Sequence, residues 1–258
     1  MPESTRNGLG EFLRSRREKL SPQAVGLPDR RRRRTPGLRR EEVAELAGIG
    51  VDWYIRLEQG RAVSPSVTTL NALARVLRMD DAEKDHLRSL ARGPRHHPFV
   101  REQVPEAIQH LITGLDRPAY VTGRRLDLLA WNDAASQLFT GFERLPGEDR
   151  NILLYLLLAP QARRLFGPGW PEEARRVVAQ FRTTHDLWAA DPSFADLSTR
   201  LLRDCSEFAV WWEQHSILTS GNGQKTLHHP EQGVLTFSYA TFQANDHPAL
   251  KLSIYTPL

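Results

Sequence analysis

The sequence has one cysteine, two methionines and no long apolar run. A lone cysteine, Cys205, excludes an intramolecular disulfide, so a reducing compartment suits the chain. No stretch approaches the length of a transmembrane helix, and the amino terminus lacks the apolar core of a secretory signal. These absences predict a cytoplasmic protein without a membrane partner.

The patterns of common catalytic and metal sites are also missing. The sequence has no HExxH motif, no second cysteine for a zinc site and no glycine-rich phosphate loop. His228 and His229 are neighbours in a predicted strand, where consecutive side chains face opposite sides. The sequence therefore predicts no enzyme, no cofactor and no metal. An enzyme that uses His215 or His228 with a carboxylate is the alternative.

Positive charge is concentrated in the first part of the chain. Residues 1–100 contain 20 Lys and Arg against 13 Asp and Glu, whereas residues 101–258 contain 15 against 18. A local positive excess predicts a polyanion partner for the first segment alone. Five of the six tryptophans lie after residue 100, which indicates a second, aromatic-rich domain. We predict a DNA-binding domain over 1–92, a linker over 93–103 and a second domain over 104–258.

Two short helices joined by a glycine turn are predicted between Arg39 and Gly60. Gly48 suits the positive φ that ends the first helix, and Gly50 suits the N-cap of the second. Apolar residues recur at helical spacing and should form one inward surface: Val43, Ala44, Ala47, Tyr54 and Leu57. This pattern is typical of a helix-turn-helix, with an ordinary helical hairpin as the alternative.

The second helix should place its outward residues in the major groove of DNA. The residues opposite Tyr54 and Leu57 are the predicted base-reading set: Val51, Asp52, Ile55 and Arg56. Predicted phosphate contacts come from Arg39, Arg40, Gln59 and Arg61. Trp53 fits equally well as a sugar-phosphate contact and as a packing residue.

An arginine run precedes this motif in a segment rich in proline and glycine. Arg32, Arg33 and Arg34 are predicted either to follow phosphates and enter a minor groove, or to belong to a solvated charged loop. A helix over residues 8–20 and two helices capped by Ser66 and Asp80 complete the domain. The sequence thus predicts an all-α domain of five helices.

The second part begins and ends with strand-like runs and has helical patterns between them. The predicted strands are Pro118–Thr122, Arg125–Trp131, Lys225–His228, Gly233–Phe242 and Leu250–Tyr255. The predicted helices are Asn132–Phe139, Asn151–Leu158, Pro160–Phe166, Pro171–Leu187 and Ser193–His215, the last broken near Cys205. This order predicts an α+β domain with an antiparallel sheet covered by helices, as in PAS-like sensors.

Two resemblances can be named from these motifs. The segment from Arg39 to Gly60, ending in LEQG, resembles the helix-turn-helix of the phage-repressor and xenobiotic-response-element class. The ordered set RRTPGLRREEVAELAG, LLAWNDAAS, HDLWAADP, EFAVWWEQH, HHPEQGVL and LKLSIYTP resembles the MmyB family of actinobacterial regulators over nearly the whole chain. That resemblance implies a PAS-like domain with a cavity for an apolar, fatty-acid-like effector.

Candidate residues for such a cavity follow from the resemblance. The apolar candidates are Leu153, Leu154, Leu157, Phe166, Trp170, Phe181, Trp188, Phe208, Trp211 and Trp212; Arg163, His215 and Tyr239 could meet a polar head group. These aromatics could equally form a solid core. The sequence therefore predicts a homodimeric regulator of a double-stranded DNA operator that senses an apolar small molecule, or one whose second domain is a ligand-free dimerisation module.

Overall fold

The structure, a computed structural model, describes residues 7–28, 37–61, 64–93, 98–218 and 221–258. It divides into two compact units. The N-terminal unit comprises Met1–Pro98 and His185–Ala195, and the C-terminal unit comprises Phe99–Thr184 and Asp196–Leu258. The predicted domain boundaries, 1–92, 93–103 and 104–258, stay a prediction. They divide the sequence into contiguous ranges, whereas the N-terminal unit also includes His185–Ala195.

The described part of residues 1–98 contains five α-helices. Their bounds are α1 Asn7–Lys19, α2 Arg40–Ala47, α3 Val51–Glu58, α4 Val67–Val76 and α5 Asp81–Ala91. The predicted caps are present: the Ser66 hydroxyl accepts from the Thr69 N–H, and Asp80 and Glu83 form a reciprocal capping box. The predicted all-α class of this domain is confirmed.

The rest of the chain combines five strands with seven helices in its described residues. The strands are β1 Ala119–Thr122, β2 Leu128–Trp131, β3 Gly223–His229, β4 Gly233–Gln243 and β5 Lys251–Pro257. The helices are α6 Glu106–Thr113, α7 Asp133–Leu138, α8 Ile152–Leu158, α9 Pro160–Phe166, α10 Trp170–His185, α11 Pro192–Asp204 and α12 Ser206–Glu213. Helix α6 was not among the predicted elements, and β2 is shorter than the predicted Arg125–Trp131.

The strands form one antiparallel sheet in the order β2-β1-β5-β4-β3. The predicted α+β class with a helix-covered antiparallel sheet is therefore confirmed. One sheet face is apolar, because Ala119 and Val121 of β1 pack with Ile112 of α6 and with Leu250. The opposite face carries polar and aromatic side chains, and it positions the cavity described below.

Candidate DNA interface and effector cavity

The turn between α2 and α3 has the geometry that the glycines predicted. Gly48 has a φ of 68° and ends α2, while Gly50 is extended and takes the N-cap position of α3. A side chain at Gly48 would have to adopt the left-handed region, which L-residues avoid. Tyr54 and Leu57 are buried on the inward face of α3, at 0% and 2% exposure. The opposite face of α3 is consequently presented outward.

The predicted DNA-binding residues differ in exposure. Arg39, Asp52, Arg56, Gln59 and Arg61 are exposed, whereas Arg40, Val51, Trp53 and Ile55 are half-buried. The half-burial of Trp53 is compatible with both of its predicted roles. Arg32, Arg33 and Arg34 lie outside the described residues, so the arginine arm stays a prediction.

A buried carboxylate connects the helices behind this surface. The side chain of Glu58, at the end of α3, has no exposed area. Its Oε1 accepts a hydrogen bond from Nε of Arg17 on α1 at 2.6 Å, and its Oε2 accepts one from Nε of Arg40 on α2. Nη1 of Arg17 also donates to the carbonyl oxygen of Leu38 at 2.8 Å. We call Arg17, Arg40 and Glu58 the Glu58 cluster.

The Glu58 cluster gives Arg40 a second role that the sequence did not suggest. Arg40 was predicted to contact phosphate, and its side chain is still 39% exposed while its Nε is paired with Glu58. Arg17 and Glu58 were not predicted as functional residues at all. A signal was available for Glu58, because it is the acidic residue of the LEQG ending on which the helix-turn-helix resemblance rests.

Helix α1 approaches the end of α3 very closely at Gly10. A Cβ atom at Gly10 would lie 2.3 Å from the carbonyl oxygen of Glu58, which no side chain can do without moving the backbone. The glycine therefore permits the helix contact that brings Arg17 to Glu58. This close approach and the Glu58 cluster both connect α1 to α3.

The C-terminal unit contains a cavity between the polar face of its sheet and helix α10. The strands contribute Tyr120, Thr122, Lys225, Tyr239, Thr241, Lys251, Ser253 and Tyr255; α10 contributes Glu173, Arg176, Val177 and Gln180; Leu126 and Ile152 complete the lining. The cavity measures about 40 Å³, and the recess around it, including space open to solvent, about 450 Å³. Since one water needs about 10–15 Å³, the enclosed part holds about three waters or a small chemical group.

Paired charges and tyrosine hydroxyls organise this cavity. Nη2 and Nε of Arg176 donate to the two oxygens of Glu173 at 2.5 and 2.9 Å. Nζ of Lys225 donates to Oε1 of Glu173 at 2.8 Å and to the Tyr255 hydroxyl at 2.9 Å. The hydroxyl oxygens of Tyr120 and Tyr255 are 3.3 Å apart. Three basic residues thus line the cavity against one carboxylate.

Burial and charge shift the protonation equilibria of these groups. Burial raises the pKa of the Glu173 carboxyl, but Lys225 and Arg176 outweigh burial and bring this pKa down to about 2. Burial raises the pKa values of the Tyr120 and Tyr255 hydroxyls, which therefore stay protonated at neutral pH. Burial lowers the pKa of the Lys251 ammonium.

Of the thirteen predicted ligand candidates, Tyr239 lines the cavity and the other twelve do not. Leu154, Phe166, Trp170 and Phe181 are buried core residues, and Trp212 is half-buried against Phe181 and Phe208. Leu153, Leu157, Trp188, Phe208 and Trp211 are buried as well. The two polar candidates outside the cavity engage protein partners: Arg163 pairs with Glu207 at 2.6 Å, and Nδ1 of His215 is 2.5 Å from Nη2 of Arg182.

The charged cavity residues were missed by sequence reasoning, although a signal existed. In KLSIYTP of β5, Lys251, Ser253 and Tyr255 alternate with apolar residues and share one face. Alternation normally predicts a solvent-facing polar side. Here Ser253 is only 6% exposed, because α10 covers this face of the sheet.

The described residues also bear on metal binding and on the state of the single cysteine. No three His, Cys, Asp or Glu side chains there are grouped to hold a metal ion. Burial raises the pKa of the Cys205 thiol, which lies at the N-cap of α12. None of the described helices is both long and apolar enough to cross a membrane.

An exposed second helix behind a glycine turn and a separate domain with a built cavity define a helix-turn-helix regulator with a ligand-binding domain. Comparison with known families agrees with this class. Residues 9–87 match the family described as helix-turn-helix domain, and residues 104–258 match MmyB-like transcription regulator ligand binding domain. The chain belongs to this MmyB-like family and is a DNA-binding transcription regulator. A search of curated proteins finds no match.

Proposed function

We propose that the protein binds a two-fold-symmetric operator as a homodimer and changes its operator affinity when a small molecule occupies the C-terminal unit. Symmetric dimers match half-sites about one helical turn apart. The observation that carries the proposal is the exposed face of α3, with Asp52 and Arg56, in one chain with a ligand-binding family domain that contains a charged cavity.

In this proposal the residues of α3 read bases, and residues that flank α2 and α3 contact phosphates. Arg56 takes a guanine edge, Asp52 accepts from a cytosine amino group and Val51 contacts a thymine methyl. Arg39, Gln59 and Arg61 contact phosphates and fix the register. Arg40 contacts phosphate with the part of its guanidinium that Glu58 does not engage. The functional role is in binding, and no catalytic role is proposed for any side chain.

An apolar, fatty-acid-like effector is the class that the family resemblance implies. The aromatic candidates for contact with such a molecule pack against one another instead. The ring centroids of Trp170 and Trp211 are 5.7 Å apart, and those of Phe181 and Trp212 are 5.8 Å apart. That packing favours the second candidate, a ligand-free dimerisation module with a solid core.

Native mass spectrometry of the purified protein, followed by denaturing extraction, separates the two candidates. A small molecule that co-purifies at one per subunit and alters operator affinity in a gel-shift titration would support the sensor. A dimer without adduct, and with an operator affinity that no fatty acid changes, would favour the dimerisation module. A monomer on and off DNA would contradict both.

A further inference from the structure

A recess between α4 and α5 brings several basic side chains together on the N-terminal unit. Its volume is about 410 Å³. The lining residues come from these two helices and the turn that joins them: Asn71, Ala74, Arg75, Arg78, Met79, Lys84 and Arg88. Four of these residues are cationic and none is acidic. Since no residue of α2 or α3 belongs to the lining, this α4–α5 recess is distinct from the candidate DNA interface.

Neighbouring carboxylates compensate two of the four cationic side chains. Nζ of Lys84 donates to Oδ1 of Asp81 at 2.8 Å, and Nη1 of Arg88 donates to Oδ1 of Asp85 at 3.0 Å. In each pair the aspartate lies three residues before its partner on α5, so both pairs are local. They do not reach the two arginines of α4.

Arg75 and Arg78 provide the uncompensated positive charge of the recess. Both residues are exposed, and in the part of the chain that the structure describes neither guanidinium takes part in a hydrogen bond or an ion pair. A guanidinium presents a fork of N–H donors that matches the two oxygens of a carboxylate. Two such groups at one recess favour an anionic partner with more than one negative charge.

Arg78 has a backbone conformation that is unusual for an arginine. Helix α4 ends in a Schellman motif, in which the N–H of Arg78 donates to the carbonyl oxygen of Arg75 at 3.2 Å, and that of Met79 to the carbonyl oxygen of Ala74 at 2.9 Å. The φ of Arg78 is 50°, in the left-handed region that glycine normally occupies at this position. Such backbone strain is concentrated at functional positions. Arg75 already gives the last turn a positive charge, so the helix dipole does not require a second arginine.

The base of the recess is apolar. Ala74 and Met79 line it and are 4% and 5% exposed. Methionine packs adaptably against different apolar partners and is common in surfaces that bind peptides. The DNA backbone presents phosphates but no apolar side chain that could cover this base. An acidic protein segment presents carboxylates and apolar side chains together, and it therefore complements the recess better than DNA does.

We propose that the α4–α5 recess binds an acidic segment of a partner protein. Carboxylates of this segment pair with Arg75 and Arg78, and an apolar side chain between them packs on Met79. This partner is additional to the operator and the effector, so the inference does not depend on the proposed dimer or on the ligand. Because no α3 residue lines the recess, the operator and the acidic segment use different residues.

The test measures peptide binding to the full-length protein by fluorescence anisotropy, at about 0.15 M salt to screen long-range attraction. The probe is a labelled peptide of Glu-Glu-Leu repeats, and the two comparison peptides replace every Glu with Gln or every Leu with Glu. We expect the Glu-Glu-Leu peptide to bind at least about tenfold more tightly than the Gln peptide, as a charged hydrogen bond contributes. It should also bind more tightly than the all-Glu peptide, because leucine covers the apolar base.

Two variants and a control locate the site. Arg75→Gln and Arg78→Gly should each weaken binding of the Glu-Glu-Leu peptide by about tenfold. Arg92→Gln, exposed at the end of α5, should bind this peptide like the wild type. All three variants should keep the wild-type affinity for a DNA duplex without operator sequence.

Thermal unfolding separates a lost contact from a lost fold. Arg78→Gly should unfold at or above the wild-type temperature, because glycine relieves the strain of the positive φ. Weaker peptide binding by this variant therefore reports the missing guanidinium. A lower unfolding temperature for Arg78→Gly would show that the arginine serves the fold of α4, and would overturn the inference.

The peptide and duplex titrations can overturn it as well. Equal binding of the Glu-Glu-Leu and Gln peptides would exclude a carboxylate site, and equal binding of the all-Glu peptide would exclude the apolar contact. Undiminished peptide binding by both recess variants would place the acidic contact on another basic part of the chain. An equal loss of duplex binding in both variants would make the recess a phosphate contact.

Discussion

A carboxylate without exposed surface lies where the first three helices meet, and two arginines donate to it. The pair of Glu58 and Arg17 is almost fully buried, with side-chain exposures of 0% and 5%. Removing one member of a buried pair leaves the other charge without compensation, which costs more than the pair contributes. The orientation of α3 therefore depends on a buried charged group.

Replacing Glu58 with Gln should destabilise the N-terminal unit. The amide keeps the shape but leaves the buried Arg17 guanidinium with only the longer contact from its Nη2 to Oε1 of Glu18, at 3.4 Å, so we expect a loss of about 3 kcal/mol in the free energy of unfolding. Urea unfolding of the full chain measures the loss. Glu45→Gln, exposed on α2, should change the free energy by less than about 0.5 kcal/mol. A Glu58→Gln variant as stable as this control would show that the cluster contributes little.

Arg56 should determine one base of the operator. The side chain is exposed on α3 and lies outside the Glu58 cluster, so Arg56→Ala should change DNA reading without unfolding the domain. We expect a loss of about 1–3 kcal/mol of discrimination at one base pair and little change at the others. Competition binding against operators that differ at single positions measures this.

Replacing Arg40 should affect DNA binding in a different way from replacing Arg56. Arg40→Ala removes a phosphate contact and a partner of Glu58 together, so affinity should fall for all sequences and thermal stability should fall with it. An Arg56→Ala variant that keeps the full base preference would place the reading surface elsewhere on the unit.

At the scale of elements, local signals predicted most boundaries to within one or two residues. Asn132 begins α7 as an N-cap, and the predicted break near Cys205 separates α11 from α12. Such signals succeed because a cap or a turn is satisfied by neighbours in the sequence. Helix α6 was not predicted, although its apolar residues Ile108 and Ile112 pack against the sheet.

The Glu58 cluster and the cavity could not be predicted because they depend on contacts between residues that are distant in the sequence. The Glu58 cluster joins positions 17, 40 and 58, and the cavity joins four strands with α10. A pattern shows that Lys251 and Ser253 share a face. It does not show that a helix covers that face, because coverage follows from the sheet order.

Asn132 connects three elements through one side chain. Its Oδ1 accepts from the N–H groups of Ala119 and Ala135 at 3.0 and 2.9 Å. Its Nδ2 donates to the carbonyl oxygens of Ile112, Leu115 and Arg117 at 3.2, 3.0 and 2.8 Å. The residue is thus a cap and also a junction between α6 and β1.

The substitution Asn132→Asp distinguishes the role of Asn132 as a helix cap from its role as a junction between α6 and β1. Asn132→Asp keeps the accepting oxygen of the cap but replaces the donor with an acceptor that faces carbonyl oxygens. We expect Asn132→Asp to destabilise the C-terminal unit by about 2 kcal/mol or more, and at least as much as Asn132→Ala. Chemical unfolding of both variants measures this. A nearly neutral Asp variant would show that only the cap matters.

At the scale of the whole molecule, the N-terminal unit includes a segment that lies, in the sequence, between two parts of the C-terminal unit. The segment His185–Ala195 belongs to the N-terminal unit, and α10, which carries Glu173 and Arg176 of the cavity, leads directly into it. Within the N-terminal unit, Oδ2 of Asp186 lies 3.2 Å from Nε2 of the buried His86 on α5. An effector can act on DNA binding only through different affinities for two arrangements, and we propose that this segment couples the two sites.

Replacing Asp186 should therefore weaken the coupling between effector binding and operator binding. Asp186→Ala leaves a buried nitrogen of His86 without this partner, whereas Asp186→Asn keeps an accepting oxygen. We expect the alanine variant to reduce the factor by which a bound effector changes operator affinity, from a typical range of about 5–150-fold toward one. The asparagine variant and Asp196→Ala, exposed on α11, should retain most of it.

The measurement uses both directions of the thermodynamic cycle. Linkage requires that the operator change effector affinity by the same factor by which the effector changes operator affinity. Titrating effector with and without operator, and operator with and without effector, therefore gives two values of one coupling factor for each variant. If Asp186→Ala kept the wild-type factor in both directions, the coupling would run through another part of the chain, and His185–Ala195 would serve only the stability of the N-terminal unit.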